Sequence, residues 1–221
     1  MRSEHPATTP ASPARDLSAP LGTATRGQLT FARGVSLLTL GAAQAPGTLF
    51  QAHFEGPVPH VDAADGAVTI RYARLSLAEW ARYALLWGQH ASTIALAAAL
   101  PWQITINGGA TRLGADLRAL RLSGLTIAGG VSEATLELAA PRGVVAIRVA
   151  GGANRLTLRL PARCAAQLVV RHSASQLAFD EQHYGAVGGT MRIASPGAAQ
   201  APDRYEVEVA GGANELTIDR W

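Results

Sequence analysis

The segment Val149-Ala-Gly-Gly-Ala-Asn-Arg-Leu-Thr-Leu-Arg-Leu160 returns almost unchanged as Val209-Ala-Gly-Gly-Ala-Asn-Glu-Leu-Thr-Ile218. Looser copies are Ile106-Asn-Gly-Gly-Ala-Thr-Arg-Leu113 and Ile127-Ala-Gly-Gly-Val-Ser-Glu-Ala-Thr-Leu136. The shared template runs apolar, any, Gly, Gly, small, polar, any, apolar, any, apolar. It reads as a strand, a tight corner and a second strand. Side chains alternate across a strand, so Leu156, Leu158 and Leu160 share one face and Arg155, Thr157 and Arg159 the other.

The Gly-Gly pairs Gly108-Gly109, Gly129-Gly130 and Gly151-Gly152 start 21 and 22 residues apart. A fixed period of this size marks stacked repeats. The unit contains strands and corners but no helix, so the predicted fold is all-β: a β-solenoid of coils about 4.8 Å apart, or an open sheet of stacked hairpin-like units. One coil cannot bury its own apolar face, so several must stack. Glycine at the corner is expected to supply positive φ. The small residues that follow, Ala110, Val131, Ala153, Ala174 and Ala213, suit corners one strand spacing apart. Asn154 and Asn214 are expected to bond their own backbone there.

The register continues beyond the last clear corner. Leu168, Val170, His172, Ala174, Leu177 and Phe179 match Ile147, Val149, Gly151, Ala153, Leu156 and Leu158 at a displacement of 21. His172-Ser173 then takes the corner. The final pair, Gly211-Gly212, comes 60 residues after Gly151. Residues 180–204 intervene as a loop or hairpin insertion, read as an excursion in preference to a degenerate coil. Toward the N-terminus, Gly34-Val-Ser-Leu-Leu-Thr-Leu40 matches Gly130-Val-Ser-Glu-Ala-Thr-Leu136. Phe50, Ala52, Phe54 and Gly56 repeat half of the template, Val68 to Tyr72 alternates as a strand, and Ser92 to Leu100 reads as strand or loop.

Residues 1–26, rich in Pro, Ser, Thr and Ala, read as a disordered tail. Residues 27–221 form one domain, interrupted by a helical insertion at about 76–88. Ser76-Leu-Ala-Glu79 is a capping box. Trp80, Tyr83 and Trp87 follow at helical spacing, so one short helix is predicted over 77–87. Its aromatic stripe either covers the sheet or offers an interaction patch.

Apolar residues make up 48% and charged residues 16%, a globular balance. Every basic side chain is arginine, and the net charge is only +3. The arginines alternate with apolar residues instead of clustering, which argues against nucleic acid. Cys164 is the single cysteine, so no intrachain disulfide forms. No apolar run reaches the length of a membrane span or a secretory signal, so a cytoplasmic location is expected.

Candidate chemistry is sparse. His172, Ser173, Ser175 and Asp180 contain the residue types of a hydrolytic triad, but no nucleophile elbow surrounds them. His60 and Asp62 offer two metal ligands on one strand face, and His183 lies near Asp180 and Glu181; a convincing site needs three or four. Cys164 reads as a small buried residue. A calcium β-roll needs Asp after the glycines, where this chain has Arg112, Ala134, Leu156 and Leu216. The column Arg112, Glu133, Arg155, Gln176 and Glu215 mixes signs like an ordinary solvated face. No catalytic residue, metal or cofactor is assigned.

The repeated Gly-Gly-(Ala/Val)-(Asn/Ser) corners, Pro101-Trp102 ahead of a corner, and Asp203-Arg-Tyr-Glu-Val-Glu-Val209 entering the last one resemble the bacterial toast-rack family. This family is also called the putative-adhesin β-strand-repeat family, and its members include relatives of LiaF-type cell-wall-stress regulators. The resemblance covers about residues 27–220. It implies a stacked-sheet domain without an active site, in a family where many members are tethered to membrane segments. The expectation is a non-catalytic structural or protein-interaction module, linked to envelope-stress signalling. Its alternatives are a self-assembling, bactofilin-like scaffold and a carbohydrate-active enzyme on a β-helix.

Overall fold

The computed structural model describes residues 14–56, 58–72 and 91–221. Among them are twenty strands and no helix, arranged in an 11-stranded and a 9-stranded sheet. Neither sheet closes on itself. The helix predicted over 77–87, with Trp80, Tyr83 and Trp87, lies outside the described residues.

The repeating unit is a coil of two strands, one in each sheet, joined by the corner. Four coils follow the sequence pattern closely: β8 (Pro101–Ile106) with β9 (Ala110–Leu117), β10 (Arg121–Ile127) with β11 (Val131–Leu138), β12 (Val144–Val149) with β13 (Ala153–Leu160), and β19 (Arg204–Val209) with β20 (Ala213–Arg220). Three more are β2 (Gly27–Phe31) with β3 (Val35–Ala42), β6 (Ala67–Arg71) with β7 (Ala91–Leu96), and β14 (Ala165–Val170) with β15 (Ser173–Phe179). Neighbouring coils pair in parallel throughout.

The core lies between the sheets and follows from the alternation. One column runs Val68, Leu29, Ile104, Leu125, Ile147, Val207, Leu168, each at most 1% exposed. Burying one such side chain stabilises by about 1.5–3 kcal/mol, so the stack gains with each added coil. Larger groups enter where a neighbour is small. The Trp102 indole lies where a Cβ on Gly27 would come within 2.4 Å of it, and its Nε1 donates to the Ala97 carbonyl at 2.8 Å.

Stacking order departs from sequence order at both ends. From one end to the other the coils run β6/β7, β2/β3, β8/β9, β10/β11, β12/β13, β19/β20, β14/β15. The first coil of the chain is thus second in the stack, and the last is inserted before β14/β15. The displacement of 21 that aligns Leu168 with Ile147 is kept, but Val207 stands between them.

Antiparallel strands close both ends. At one, β4 (Thr48–Glu55) pairs with β7, β1 (Ala14–Pro20) pairs with β4, and β5 (His60–Ala64) pairs with β6. At the other, β16 (Gln182–Tyr184) and β17 (Val187–Gly188) pair with β15, and β18 (Met191–Ala194) pairs with β14.

Three expectations are corrected here. Residues 14–20 of the expected disordered tail form a strand, because Leu17 and Ala19 cover Ala52 and Phe50 at the sheet edge. Phe50, Ala52 and Phe54 belong to an antiparallel cap instead of a coil; the Asp65-Gly66 turn, with φ of 49° and 83°, reverses the chain in a tight β5–β6 hairpin at the same end. Finally, consecutive segments do not always stack on one another.

Candidate functional site

The corners form one continuous edge of the stack. Ala110 N donates to Gly130 O at 3.0 Å, Val131 N to Gly152 O at 2.9 Å, and Ala153 N to Gly212 O at 2.9 Å. Gly129 N reaches Gly108 O at 2.8 Å, and Gly151 N and Gly211 N reach Gly129 O and Gly151 O at 3.1 Å. Gly108, Gly109, Gly129, Gly130, Gly151, Gly152, Gly211 and Gly212 are therefore brought together, and the parallel ladder continues round the bend.

The reason for glycine differs from the expected one. Of these eight, only Gly108 has positive φ, at 149°. Glycine is required because the backbones nearly touch: a Cβ on Gly151 would stand 2.5 Å from Gly130 N, and one on Gly129 2.6 Å from Gly109 N. Gly212 is looser, since a Cβ there would lie 3.3 Å from the Ser173 hydroxyl. The asparagines also act between coils. Asn214 Nδ2 donates to Asn154 Oδ1 at 3.0 Å instead of bonding its own backbone.

The solvent face of the larger sheet carries charges in columns. Glu133 lies between Arg112 at 3.5 Å and Arg155 at 3.2 Å. A parallel column links Asp116, Arg118, Glu137, Arg159 and Asp219 at 2.7–3.5 Å. The half-exposed Trp221 ring lies 6.0 Å from the Arg118 guanidinium. The hydrogen bond from Arg118 holds the Asp116 carboxyl below its ordinary range. A row of Thr39, Gly114, Thr135, Thr157 and Thr217 runs between the two columns.

The residues of the imagined triad do not meet. The His172 Nδ1 lies 2.6 Å from the Ala210 carbonyl oxygen. Asp180, with φ 54°, sits in the turn at the opposite end of β15, about 25 Å away along an extended strand. There Arg220 grips it through two nitrogens at 2.6 and 3.0 Å. His60 lies 3.0 Å from Asp62, whose other oxygen pairs with Arg71. Among the described residues no group of three or more His, Cys, Asp or Glu is placed to hold a metal. His183 faces Ala178 across the β15–β16 hairpin. Cys164 is half-buried, and burial pushes its thiol up, away from the nucleophilic thiolate.

A surface cavity of about 500 Å³ opens at the β16 end, lined by Phe179, Asp180, Glu181, Gln182, Ser195, Asp219 and Arg220 among others. Asp180 and Glu181 stand together in the sequence beside His183, but Asp219 joins them only in the fold, being distant in the chain. Two of its three carboxylates are engaged by guanidinium groups: Asp180 by Arg220, and Asp219 by Arg159 at 3.5 Å. No described helix is long and apolar enough to cross a membrane.

No family model and no curated protein matches the chain. Solved structures do. A "putative cell adhesion protein" from Clostridium sporogenes superposes with a TM-score of 0.70 at 16% identity, over 95% of this chain and all of that one. A "putative adhesin" from Bacteroides fragilis covers 96% of this chain and 99% of its own, at 9% identity and a TM-score of 0.35. The name printed for the clostridial protein agrees with the family that the Gly-Gly corners resemble. The chain shares the fold of that clostridial protein, two sheets with the same overall course over nearly the whole length.

Proposed function

We propose that the chain is a non-catalytic module that binds a protein partner on the outer faces of a closed stack. The supporting observation is the closure of both ends. A stack built for open-ended growth would present unpaired parallel coils, which template further pairing. Among the described residues, three of the four outermost strands are short, at three to five residues in β16, β18 and β5. The fourth, β1, faces Phe54 with Arg15 on its core side and ends in Pro20, both of which discourage edge pairing. A role in envelope-stress signalling, exerted from the cytoplasm, is the narrower form of this proposal. It rests on the family resemblance.

A self-assembling scaffold is the second reading, favoured by β1, at seven residues the longest outermost strand among the described residues. Light scattering over a wide concentration range separates the two. A constant single-chain mass supports the module, and species that grow without limit sink it. Affinity capture with the intact chain, followed by identification and direct titration of the captured protein, then tests the partner.

A further inference from the structure

The C-terminal coil occupies a place that the chain leaves open before reaching it. Strands β14/β15 are laid down first and covered on their outer side by β16, β17 and β18. Only then does β19/β20 enter between β12/β13 and β14/β15, pairing in parallel with both. We propose that this slot is an acceptor site for the 204–220 coil, and that it also accepts the coil of a second copy of the chain as a minor species. The product is a two-fold exchanged dimer.

What the coil recognises in the slot is independent of which chain supplies it. Tyr205, Val207, Val209, Leu216 and Ile218 are buried between the walls. The Tyr205 hydroxyl donates to the Ala139 carbonyl at 2.9 Å, and Arg220 pairs with Asp180. Each contact re-forms unchanged in an exchanged dimer, because both walls belong to one copy and the coil to the other. Exchange of an identical element is in general a low-cost route to dimers.

Only the connection favours the chain's own coil. Residues 195–203 cross the edge of β14, from Ser195, whose hydroxyl accepts from Ala166 N at 2.9 Å, to Arg204, whose N donates to Gly143 O at 3.1 Å. Slack is taken up by a turn in which Gln200 N and Ala201 N both donate to Gly197 O at 3.1 Å. The gap from Ala194 to Arg204 spans two strand spacings sideways and two residues along, about 12 Å. Removing residues 196–202 leaves three Cα–Cα steps, about 10 Å at full extension, which is too short. The coil then has to enter another copy.

The test uses full-length chains carrying Cys164→Ala and either Asn154→Cys or Asn214→Cys, positions that face each other across the slot wall. The two are unfolded together, refolded at high concentration and oxidised. The expected result is a band of twice the chain mass under non-reducing conditions, absent when the folded chains are merely mixed. The 196–202 deletion should turn a minor exchanged fraction into the main species, doubling the mass by light scattering. The double variant N154C/N214C should close within one chain. If it closes and the co-refolded mixture gives no cross-chain band, the proposal fails. It also fails if the deletion variant folds as a monomer. If the double variant does not close, the slot itself is wrongly placed. Should the deletion variant not fold, the co-refolded mixture still decides.

Discussion

Asn154 and Asn214 are 60 residues apart in the chain, yet the side-chain amide of one donates to the side-chain oxygen of the other at 3.0 Å. The bond crosses the seam where the last coil meets the coil of Val149 to Leu160. It joins two near-identical corners that are direct neighbours in space. A double-mutant cycle with Asn154→Ala and Asn214→Ala should give a coupling of about 0.5–1.5 kcal/mol in chemical denaturation. Additive effects would show that the two side chains do not meet in solution.

Gly151 lies closer to its stacking neighbour than any side chain allows. Gly151→Val should cost about 3 kcal/mol, the upper end of the usual overpacking range, because the clash is with backbone. That corresponds to a melting temperature lower by roughly 6–12 °C for a chain of this size. Arg155→Ala, on the solvent face, should stay within about 0.5 kcal/mol of the parent. Gly212→Ala should be milder than Gly151→Val, since its added Cβ would meet a side-chain hydroxyl at 3.3 Å and not a backbone nitrogen at 2.5 Å. Equal melts for the three would refute the close-approach account.

Leu158 is fully buried between Leu136 and Ile218. Leu158→Ala should therefore destabilise by about 2–5 kcal/mol, measured by denaturant titration with an unchanged slope. A loss under 1 kcal/mol would mean that this face is not core.

Burial raises the phenol of Tyr205, with a smaller contribution from Cys164. The neutral form is thus favoured in the fold. This stability is fully present below the ordinary tyrosine value of about 10 and is lost as pH rises above it toward the raised folded value. Melts between pH 8 and 11.5 should show the parent losing stability that Tyr205→Phe does not lose. Parallel curves would contradict this origin.

Asp116 shifts the other way, chiefly through the hydrogen bond from Arg118. Its contribution is present above about pH 4 and disappears as pH falls through the lower folded value. Carboxyl chemical shifts followed by NMR should place its midpoint below that of an ordinary aspartate, and Arg118→Ala should restore it. A midpoint at or above 4 in the parent would remove the interaction from solution.

The candidate residues divide in the same way as these contacts. The corner glycines were legible because a repeated Gly-Gly has few other causes, although close approach, not positive φ, is what demands it. The Arg112, Glu133, Arg155 column was read as mixed charge, and it is an alternating set of cross-strand ion pairs. The cavity beside Asp180 and Asp219 was not legible, because it exists only where the end of the last coil meets a hairpin turn.

By itself the sequence determined the strand alternation, the corners and the register, since each depends on residues within one period. It did not determine the order of the stack. Ile147, Val207 and Leu168 present equivalent apolar side chains at one register position, so either neighbour of β12 satisfies the local pattern. The choice was made by contacts distant in the chain: Tyr205 with Ala139, Arg220 with Asp180, and the short strands that leave β14/β15 at the end. Placement of β1 was decided likewise, because seven residues of modest apolarity gain a structure only where an edge already exists to receive them.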